Sequence, residues 1–455
     1  MGLCSSRSAR GSAARGIEAS KCATLAPAGR RRAWATPGTA NYASAVVPLW
    51  KRALSRAITA VIRAAESPKQ HRRADVPLPT DDPWYESHEA LDTIQPGTLL
   101  ANRPVEFRAG SHWVSHARAW QLRYRSTDTV GQAISAVATL MVPERAWAGV
   151  GPRPLVSYQG AIDSLGPRAD PSYTFRKGSQ KEFLLMTFAL RHGWAVVTPD
   201  FTGPRHAFGA GLIAARITLD GIRAAFQLEP GGLSADAPVA MWGYSGGGQA
   251  TAWAAEQHPL YAPEIRLAAV AAGGVPTDNR TLYRIDGGFL SGFALGAWLY
   301  ISREYPQTEL LAHASDQGRR VFAEIADMTV EELIAYFPFR RVEELTTVAD
   351  PFGTAGALLV NEQLALGRRL PSAPIYLYHA IHDQLVPIVE ADDLAATYRR
   401  GGVDVTLKRS HLGEHVLFHR LGAKGVLRYL TSRLETPPQP TAAPAGPRQA
   451  DASSA

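Results

Sequence analysis

Short apolar runs alternate along this chain with segments whose apolar residues recur every three or four positions. Nine runs predict strands: 97–107, 119–126, 133–142, 154–158, 195–198, 239–244, 267–272, 375–379 and 403–407. Helices are predicted over 214–228, 249–257 and 416–434. After an antiparallel start, strands alternate with helices, which predicts an α/β fold with a mostly parallel sheet covered on both faces.

Between 272 and 375 lie about a hundred residues with little strand character. Residues 287–301 are apolar almost all round, and Thr329 followed by Glu332 has the spacing of a capping box for a helix over 329–336. We therefore predict a helical insertion at about 276–370. Its helices either complete the core or form a lid and acyl-binding wall, and in the second case we expect Phe289, Phe293 and Trp298 to contact the substrate.

The net charge of +7 is distributed unevenly. Residues 1–75 contain 14 Lys/Arg and 3 Asp/Glu, whereas the rest of the chain contains 34 and 38. We interpret 1–75 as a basic arm, largely disordered, in which 50–66 forms either a docking helix or a membrane-surface helix. The Pro- and Ala-rich residues 436–455 are also predicted to be disordered, so the α/β domain spans 76–435. Its mild acidity gives no support to nucleic-acid binding.

Cysteine occurs only in the arm, at Cys4 and Cys22, so the domain contains neither a disulfide nor a thiolate metal site. No apolar run approaches the length of a membrane span. Arginines interrupt the first residues repeatedly, and the apolar core of a secretory signal peptide is not visible. Extracellular, cell-associated and cytoplasmic locations all stay open at this point.

The segment 243–247 reads Gly-Tyr-Ser-Gly-Gly, directly after an apolar strand and before an Ala-rich helix. This is a Gly-x-Ser-x-Gly nucleophile elbow in the strand–turn–helix context it requires. The turn is so tight that a Cβ at 243 or 247 would clash with neighbouring backbone, and the strained serine lifts its hydroxyl clear of the sheet. We therefore interpret Ser245 as a catalytic nucleophile rather than a bystander in a Gly-rich turn.

A serine nucleophile needs a base and an acid that orients the base, and in this fold both follow the serine in the chain, the acid first. Asp383 lies in the loop after the strand 375–379 and is the predicted acid, with a helix N-cap as its alternative role. His411, His415 and His419 all follow the last strand. The position just before the closing helix favours His415 as the base, while His382 is interpreted as a loop or solvent-facing residue.

The tetrahedral intermediate requires two hydrogen-bond donors for its oxyanion. One is the backbone N–H of Gly246, directly after the nucleophile. The other is expected from the loop 159–164, Gln-Gly-Ala-Ile-Asp-Ser, which follows the strand 154–158. None of these roles requires a metal ion or a cofactor.

Several motifs together resemble the secretory lipase family of the fungal lipase A type, and more closely its actinobacterial members. The matching segments are Ser-Tyr-Gln-Gly-Ala-Ile-Asp-Ser at 157–164, Pro-Ser-Tyr at 171–173, Val-Thr-Pro-Asp-Phe-Thr-Gly-Pro at 197–204, Leu-Asp-Gly-Ile-Arg-Ala at 219–224, Trp-Gly-Tyr-Ser-Gly-Gly-Gly at 242–248 and Gly-Glu-His at 413–415. The resemblance extends over roughly 76–435.

The resemblance implies an α/β-hydrolase with a helical lid that hydrolyses triacylglycerols and simpler carboxylic esters without a metal. It implies Ser245 as nucleophile, Asp383 as acid and His415 as base. It also implies that Asp163 completes the oxyanion hole with Gly246, either as a protonated carboxyl or through its backbone N–H. Family members often have a disulfide cysteine just before Pro-Ser-Tyr, where this chain has Ala-Asp.

The sequence thus predicts a serine ester hydrolase, or lipase, whose substrate is a lipid or a small acyl ester. A short-chain carboxylesterase and an acyltransferase need the same residues and stay open. A serine peptidase of the same fold would carry an extra domain or a carboxylate pair for the substrate amine, and neither is visible. The alternative of a different class is a non-catalytic lipid-binding protein. Transient contact with a membrane or lipid interface is compatible with all of these, and the oligomeric state is left open.

Overall fold

The computed structural model describes residues 76–109, 112–113, 116–278 and 280–435. The strands are β1 Leu99–Pro104, β2 Arg108–Ala109, β3 His112–Trp113, β4 Ala117–Thr127, β5 Ala133–Pro143, β6 Leu155–Gln159, β7 Ala195–Pro199, β8 Val239–Tyr244, β9 Leu267–Gly273, β10 Ile375–Ala380 and β11 Val405–Ser410. The helices are α1 Pro171–Lys177, α2 Phe183–Arg191, α3 Gly211–Gln227, α4 Gly246–Tyr261, α5 Arg280–Ile285, α6 Ser291–Glu304, α7 Asp316–Glu324, α8 Val330–Tyr336, α9 Ala355–Leu364, α10 Ile388–Arg400 and α11 His415–Leu434. The predictions for 1–75, with its cysteines, and for 436–455 lie outside the described residues.

Nine of the described strands form one sheet in the order β1-β4-β5-β7-β6-β8-β9-β10-β11. The strands β1, β4, β5 and β7 pair antiparallel, and every pairing from β7 to β11 is parallel. The predicted α/β class with an antiparallel start is confirmed. Because parallel strands end at the same edge, the loops after β6, β8, β10 and β11 meet there.

Both faces of the sheet are covered, so successive residues of one strand enter different cores. Met241 of β8 packs in the cluster that contains α3 and α4, whereas its neighbour Trp242 packs in the cluster that contains α2 and α11. All six residues of β8 are buried. This double burial explains why the central strands read as continuous apolar runs rather than as alternating patterns.

The predicted insertion corresponds to the segment between β9 and β10, which contains α5 to α9 joined by loops and short 3₁₀ turns. The capping box at the start of α8 is present: the Thr329 hydroxyl accepts the Glu332 N–H, and the Glu332 carboxylate accepts the Thr329 N–H. Of the apolar segment 287–301, residues 291–301 lie in α6, whose residues are almost all buried, while 287–290 form the turn before it.

One boundary prediction was wrong at the end of the chain. His415 is the first residue of α11 rather than the last residue of the preceding loop. The cause is Glu414, whose side chain accepts the N–H groups of Val416 and Leu417 and therefore caps the helix. Among the described residues, no helix has the length and apolarity needed to cross a membrane.

Candidate active site

Ser245 occupies a sharp turn between β8 and α4, with φ +53° and ψ −124°. Its N–H donates to the carbonyl of Gly273 on the neighbouring strand at 2.9 Å. A Cβ at Gly243 would overlap the carbonyl of Gly247, and a Cβ at Gly247 would overlap the carbonyl of Gln159. The steric reason given for both glycines from the sequence is therefore confirmed.

The structure brings together the three residues that the sequence assigns to a triad. His415 Nε2 lies 2.7 Å from Ser245 Oγ, and His415 Nδ1 lies 2.6 Å from Asp383 Oδ2. Because an ionised carboxylate can only accept, Nδ1 carries the proton and Nε2 is free to accept from the serine hydroxyl. This is the arrangement in which an imidazole can remove the serine proton.

Asp383 is held from two sides. Its Oδ1 accepts the backbone N–H groups of Leu385 and Val386 at 2.9 and 2.7 Å, and His379 Nε2 lies 3.4 Å from its Oδ2. Burial alone would raise the pKa of Asp383, but the hydrogen bonds from His379 and His415 outweigh burial and hold that pKa well below its ordinary value. The carboxylate therefore stays ionised while it orients the imidazole.

The other candidate histidines do not reach Ser245. His382 and His411 are exposed, and their rings lie 5.8 Å apart outside the triad. His419 stacks on the ring of Tyr244 at 4.8 Å, with its Nε2 3.3 Å from the hydroxyl of Tyr158. Burial and the neighbouring His415 lower the pKa of His419 to about 4, so this imidazole is neutral at pH 7.

The side chain of Asp163 lies against the first residue of α4, since a Cβ placed on Gly246 would be 2.6 Å from Asp163 Oδ1. Asp163 has a positive φ of 22°, and its carbonyl accepts the N–H of Val330 at 2.9 Å. Burial, followed by the neighbouring carboxylates of Glu331 and Glu182, raises the pKa of Asp163 to about 6. A carboxyl with a pKa of about 6 is partly protonated near neutral pH, and its protonated form can donate a hydrogen bond.

Glu182 holds the loop 159–164 through two hydrogen bonds, and the sequence analysis did not identify it. Its Oε1 accepts the N–H of Ala161 at 3.1 Å, and its Oε2 accepts the hydroxyl of Tyr158 at 2.9 Å. Burial raises the pKa of Glu182 to about 7. Glu182 belongs to none of the motifs, and no spacing rule links it to the loop, so no signal in one sequence could have identified it. His379 was missed as well, although it lies four residues before Asp383.

A cavity adjoins Ser245 and Gly246. The sheet domain and the insertion both contribute to its walls, which are largely apolar and include Phe208, Leu282, Ile285, Phe293, Tyr300, Leu385 and Val386. Asp163, Gln249, Asp278 and Thr281 supply its polar groups. Apolar walls with a few convergent polar groups are typical of a site for an apolar ligand.

Of the three residues predicted to contact an acyl chain, only Phe293 lines this cavity. Trp298 is buried and packs edge-on against Phe352 at 5.8 Å, beside a second and smaller cavity within the insertion. Phe289 is 39% exposed and contacts Phe339. Two side chains five residues apart on a helix point about 140° away from each other around the helix axis, so Phe293 and Trp298 face different cavities.

Comparison with known proteins gives a consistent result. Residues 170–441 match the sequence profile of the family described as secretory lipase. The chain is 35% identical over 373 residues to the probable inactive lipase of Mycobacterium tuberculosis, covering 79% of this chain and 83% of that protein. It is 32% identical over 389 residues to Lipase A of Arthroderma benhamiae, covering 79% and 81%. The crystal structure of Candida antarctica lipase A in its closed state superposes with a TM-score of 0.75 at 27% identity, covering 80% of this chain and 89% of that one.

Proposed function

The chain belongs to the secretory lipase family, whose members include lipases and esterases with the α/β-hydrolase fold, and we propose that it is itself an active serine ester hydrolase. The observation that carries the proposal is the continuous hydrogen-bonded series from Asp383 through His415 to Ser245, with distances of 2.6 and 2.7 Å. The series ends at a cavity with largely apolar walls, which Ser245 and Gly246 help to line.

In the proposed mechanism, Ser245 Oγ attacks the ester carbonyl carbon while His415 Nε2 takes the hydroxyl proton. Collapse of the tetrahedral intermediate breaks the C–O bond to the alcohol, which leaves with the proton held by His415. Water then attacks the acyl-enzyme, with His415 again as base, and the acid is released as Ser245 regains its proton. Asp383 stabilises the imidazolium that forms in each half-reaction.

The oxyanion of both tetrahedral intermediates needs donors at the start of α4. The Gly246 N–H is one of the free amides at that helix N-terminus, where the helix dipole also favours negative charge. The Asp163 carboxyl lies against Gly246 and is the proposed second donor, in its protonated form. Its backbone N–H is the alternative donor, and the two predict different pH profiles.

The name of the mycobacterial relative states that it is probably inactive, so activity in this chain needs support of its own. That support is local. Nucleophile, base and acid are all present here, and each pair is within hydrogen-bonding distance. Ser245 also has the strained backbone of a nucleophile elbow, a conformation that costs energy and that a merely structural serine has no reason to keep.

We propose apolar acyl esters as the substrate class, with triacylglycerols first among them, because the cavity walls are largely apolar. Relatives illustrate the range: one from Malassezia furfur is named a secreted triacylglycerol lipase, and one from Fusarium sporotrichioides a trichothecene C-3 esterase. The insertion, about 276–370, is proposed to act as a lid, since its residues Leu282, Ile285 and Phe293 contribute to the wall of the cavity that Ser245 also lines.

The test is hydrolysis of p-nitrophenyl esters from acetate to palmitate by the wild type and by Ser245→Ala. We expect turnover of at least part of the series and a loss of about 10⁴-fold or more in the variant. Ser234→Ala, an exposed serine in the loop before β8, is the matched control and should retain full activity. Turnover limited to acetate and butyrate would favour a short-chain carboxylesterase, and absence of turnover across the series would overturn the proposal in favour of a binding protein.

A further inference from the structure

The outer face of α11 carries an unusual group of exposed apolar side chains. Val416 is 71% exposed, and Leu417 and Leu421 are about half exposed, all within the first two turns. Leu412, in the loop before the helix, is 73% exposed. A Cβ on Gly413 would lie 3.3 Å from Leu421 Cδ1, which brings this loop against the helix. Single exposed leucines are ordinary, but a contiguous group indicates an interaction surface.

This group borders the candidate active site. His415 is buried, while the next residue, Val416, points away from the core on the same helix turn. Glu414 caps the turn and also accepts a hydrogen bond from Gln384, in the loop that carries Asp383. The apolar group therefore lies on the elements that hold the base and the acid, at the same edge of the sheet as the nucleophile.

Basic side chains continue the same exposed face. Arg420, Lys424 and Arg428 are exposed and follow at helical spacing from the apolar residues. None of the three forms a salt bridge with another described residue. They are a local exception, because residues 76–455 carry a net charge of −4.

Lys408 of β11 is another exposed cation, located on the sheet beside α11. It pairs in register with Tyr378, and register partners in a parallel sheet direct their side chains to the same face. The ring of Tyr378 packs beneath Gly422 of α11, so Lys408 lies on the side of the sheet that α11 covers. We call the exposed residues Leu412, Val416, Leu417, Leu421, Arg420, Lys424 and Arg428 the α11 surface.

We propose that the α11 surface docks this protein onto an anionic lipid–water interface. Apolar side chains at the site end enter the acyl boundary, and the adjoining cations meet lipid phosphate groups. The inference rests on the proposed function for its purpose, delivery of ester substrate to Ser245, but the docking itself requires no catalysis.

The chain's own remaining segments are poor occupants of this surface. Residues 1–75 carry a net charge of +11 and would be repelled by its cations. Residues 436–455 contain one basic and one acidic residue and lack Leu, Ile, Val and aromatic side chains, so they offer little to cover exposed leucines. An anionic lipid layer matches both the charge and the apolar character.

The test uses the full chain with Ser245→Ala, so that hydrolysis cannot alter the lipid, in co-sedimentation with vesicles. Vesicles of phosphatidylcholine with phosphatidylglycerol should bind more tightly than vesicles of phosphatidylcholine alone. Leu417→Gln/Leu421→Gln should weaken binding at least about tenfold. Lys424→Gln/Arg428→Gln should weaken it about 25-fold, since each basic side chain near an anionic surface contributes about a factor of five.

Matched controls carry the same substitutions elsewhere. Leu184→Gln/Leu260→Gln replaces two leucines of similar exposure on other helices, and Arg266→Gln/Arg320→Gln removes two exposed cations outside the α11 surface. Both should bind vesicles as the parent does. Thermal melts of every variant establish that each chain is folded.

Binding unchanged in both surface variants would overturn the proposal. The proposal would also be overturned if the protein bound soluble heparin as tightly as anionic vesicles and Leu417→Gln/Leu421→Gln left that binding unchanged. That result would identify a general polyanion site. A dimer in sedimentation that the same variants dissociate would identify a second copy as the occupant. With Ser245 intact, the surface variants should hydrolyse p-nitrophenyl acetate at the parental rate, so failure of docking and failure of the proposed hydrolase are separate readings.

Discussion

The backbone N–H of Val330 donates a 2.9 Å hydrogen bond to the carbonyl oxygen of Asp163, and through it the first residue of α8 holds the proposed oxyanion loop. A second backbone bond, from Leu165 N–H to Met328 O at 3.0 Å, lies beside it. Arg168 and Glu332 form an ion pair across the same boundary. The position of the Asp163 carboxyl therefore depends on how the insertion begins α8.

Removing the helix cap at Thr329 should disturb catalysis as well as stability. Thr329→Ala deletes one half of the capping box, which costs about 1 kcal/mol of unfolding free energy. Because Val330 follows directly, fraying of this turn also releases Asp163. We expect kcat for p-nitrophenyl butyrate to fall roughly tenfold, an effect of about 1.4 kcal/mol on the barrier.

Thr354→Ala is the control for this prediction. Thr354 caps α9 in the same insertion, with its hydroxyl accepting the N–H of Ala357 at 3.3 Å, but α9 makes no hydrogen bond to the oxyanion loop in the described structure. We expect a similar drop in thermal midpoint with kcat preserved. Equal kcat losses in both variants would mean that general loosening of the insertion, rather than the Asp163 link, limits the rate.

The pH profile should identify the second oxyanion donor. If the Asp163 carboxyl donates, kcat/KM is proportional to the fraction of enzyme in which this carboxyl is protonated. That fraction falls tenfold per pH unit above the pKa of about 6. Asp163→Asn supplies an amide N–H at every pH. The ratio of kcat/KM in Asp163→Asn to that in wild type should therefore be flat below pH 6 and rise above it, since ionisations common to both enzymes cancel.

A ratio that stays flat from pH 5 to 9 would instead assign the donor to the backbone N–H of Asp163. The free energy of unfolding gives an independent check on the raised pKa of Asp163, because its change with pH has a predictable direction. Between about pH 4 and 6 the folded chain retains the Asp163 proton and the unfolded chain does not, so this group lowers the unfolding free energy as pH rises. Urea titrations should show Asp163→Asn gaining stability relative to wild type across that interval.

Much of this structure could be predicted from sequence because its signals are local. Double burial makes each central strand a continuous apolar run, and the tight turn at Ser245 requires glycine at 243 and 247. Chain order then limits the acid and base to two loops. The structure places His415 within 2.7 Å of Ser245 Oγ, and His415 begins the helix rather than ending the loop, so its role as the base stays a prediction that this geometry supports.

What the sequence could not supply are contacts between distant segments. Glu182 reaches back 21 residues to the N–H of Ala161, and Val330 reaches Asp163 across more than 160 residues. Neither contact leaves a periodic trace in one chain. Trp298 illustrates a different limit: an apolar helix that is buried all round does not reveal which of its aromatic residues faces the substrate cavity.

Neutralising Asp383 should abolish most of the activity without unfolding the protein. Asp383→Asn keeps the side-chain shape, but the amide no longer fixes the His415 tautomer or balances the imidazolium, and we expect kcat to fall about 10³- to 10⁴-fold. The amide oxygen can still accept the Leu385 and Val386 N–H groups, so the thermal midpoint should change little.

Asp392→Asn is the control. It only breaks an exposed ion pair with Arg409 and should leave kcat unchanged. Comparable kcat in Asp383→Asn and wild type would remove Asp383 from the mechanism.

The cavity wall should set acyl-chain selectivity through Phe293 and not through Phe289. Phe293→Ala removes an aromatic ring from the wall of the cavity beside Ser245, so longer acyl chains gain room while short chains lose contact. We expect the ratio of kcat/KM for p-nitrophenyl decanoate to that for butyrate to rise about tenfold, which corresponds to one or two methylene groups of contact.

Phe289→Ala deletes the same ring outside the cavity, at a partly exposed position against Phe339, and should leave this ratio unchanged. The selectivity ratio cancels any general loss of active enzyme. A shift in Phe289→Ala with none in Phe293→Ala would show that the acyl chain follows a path along the insertion other than this cavity.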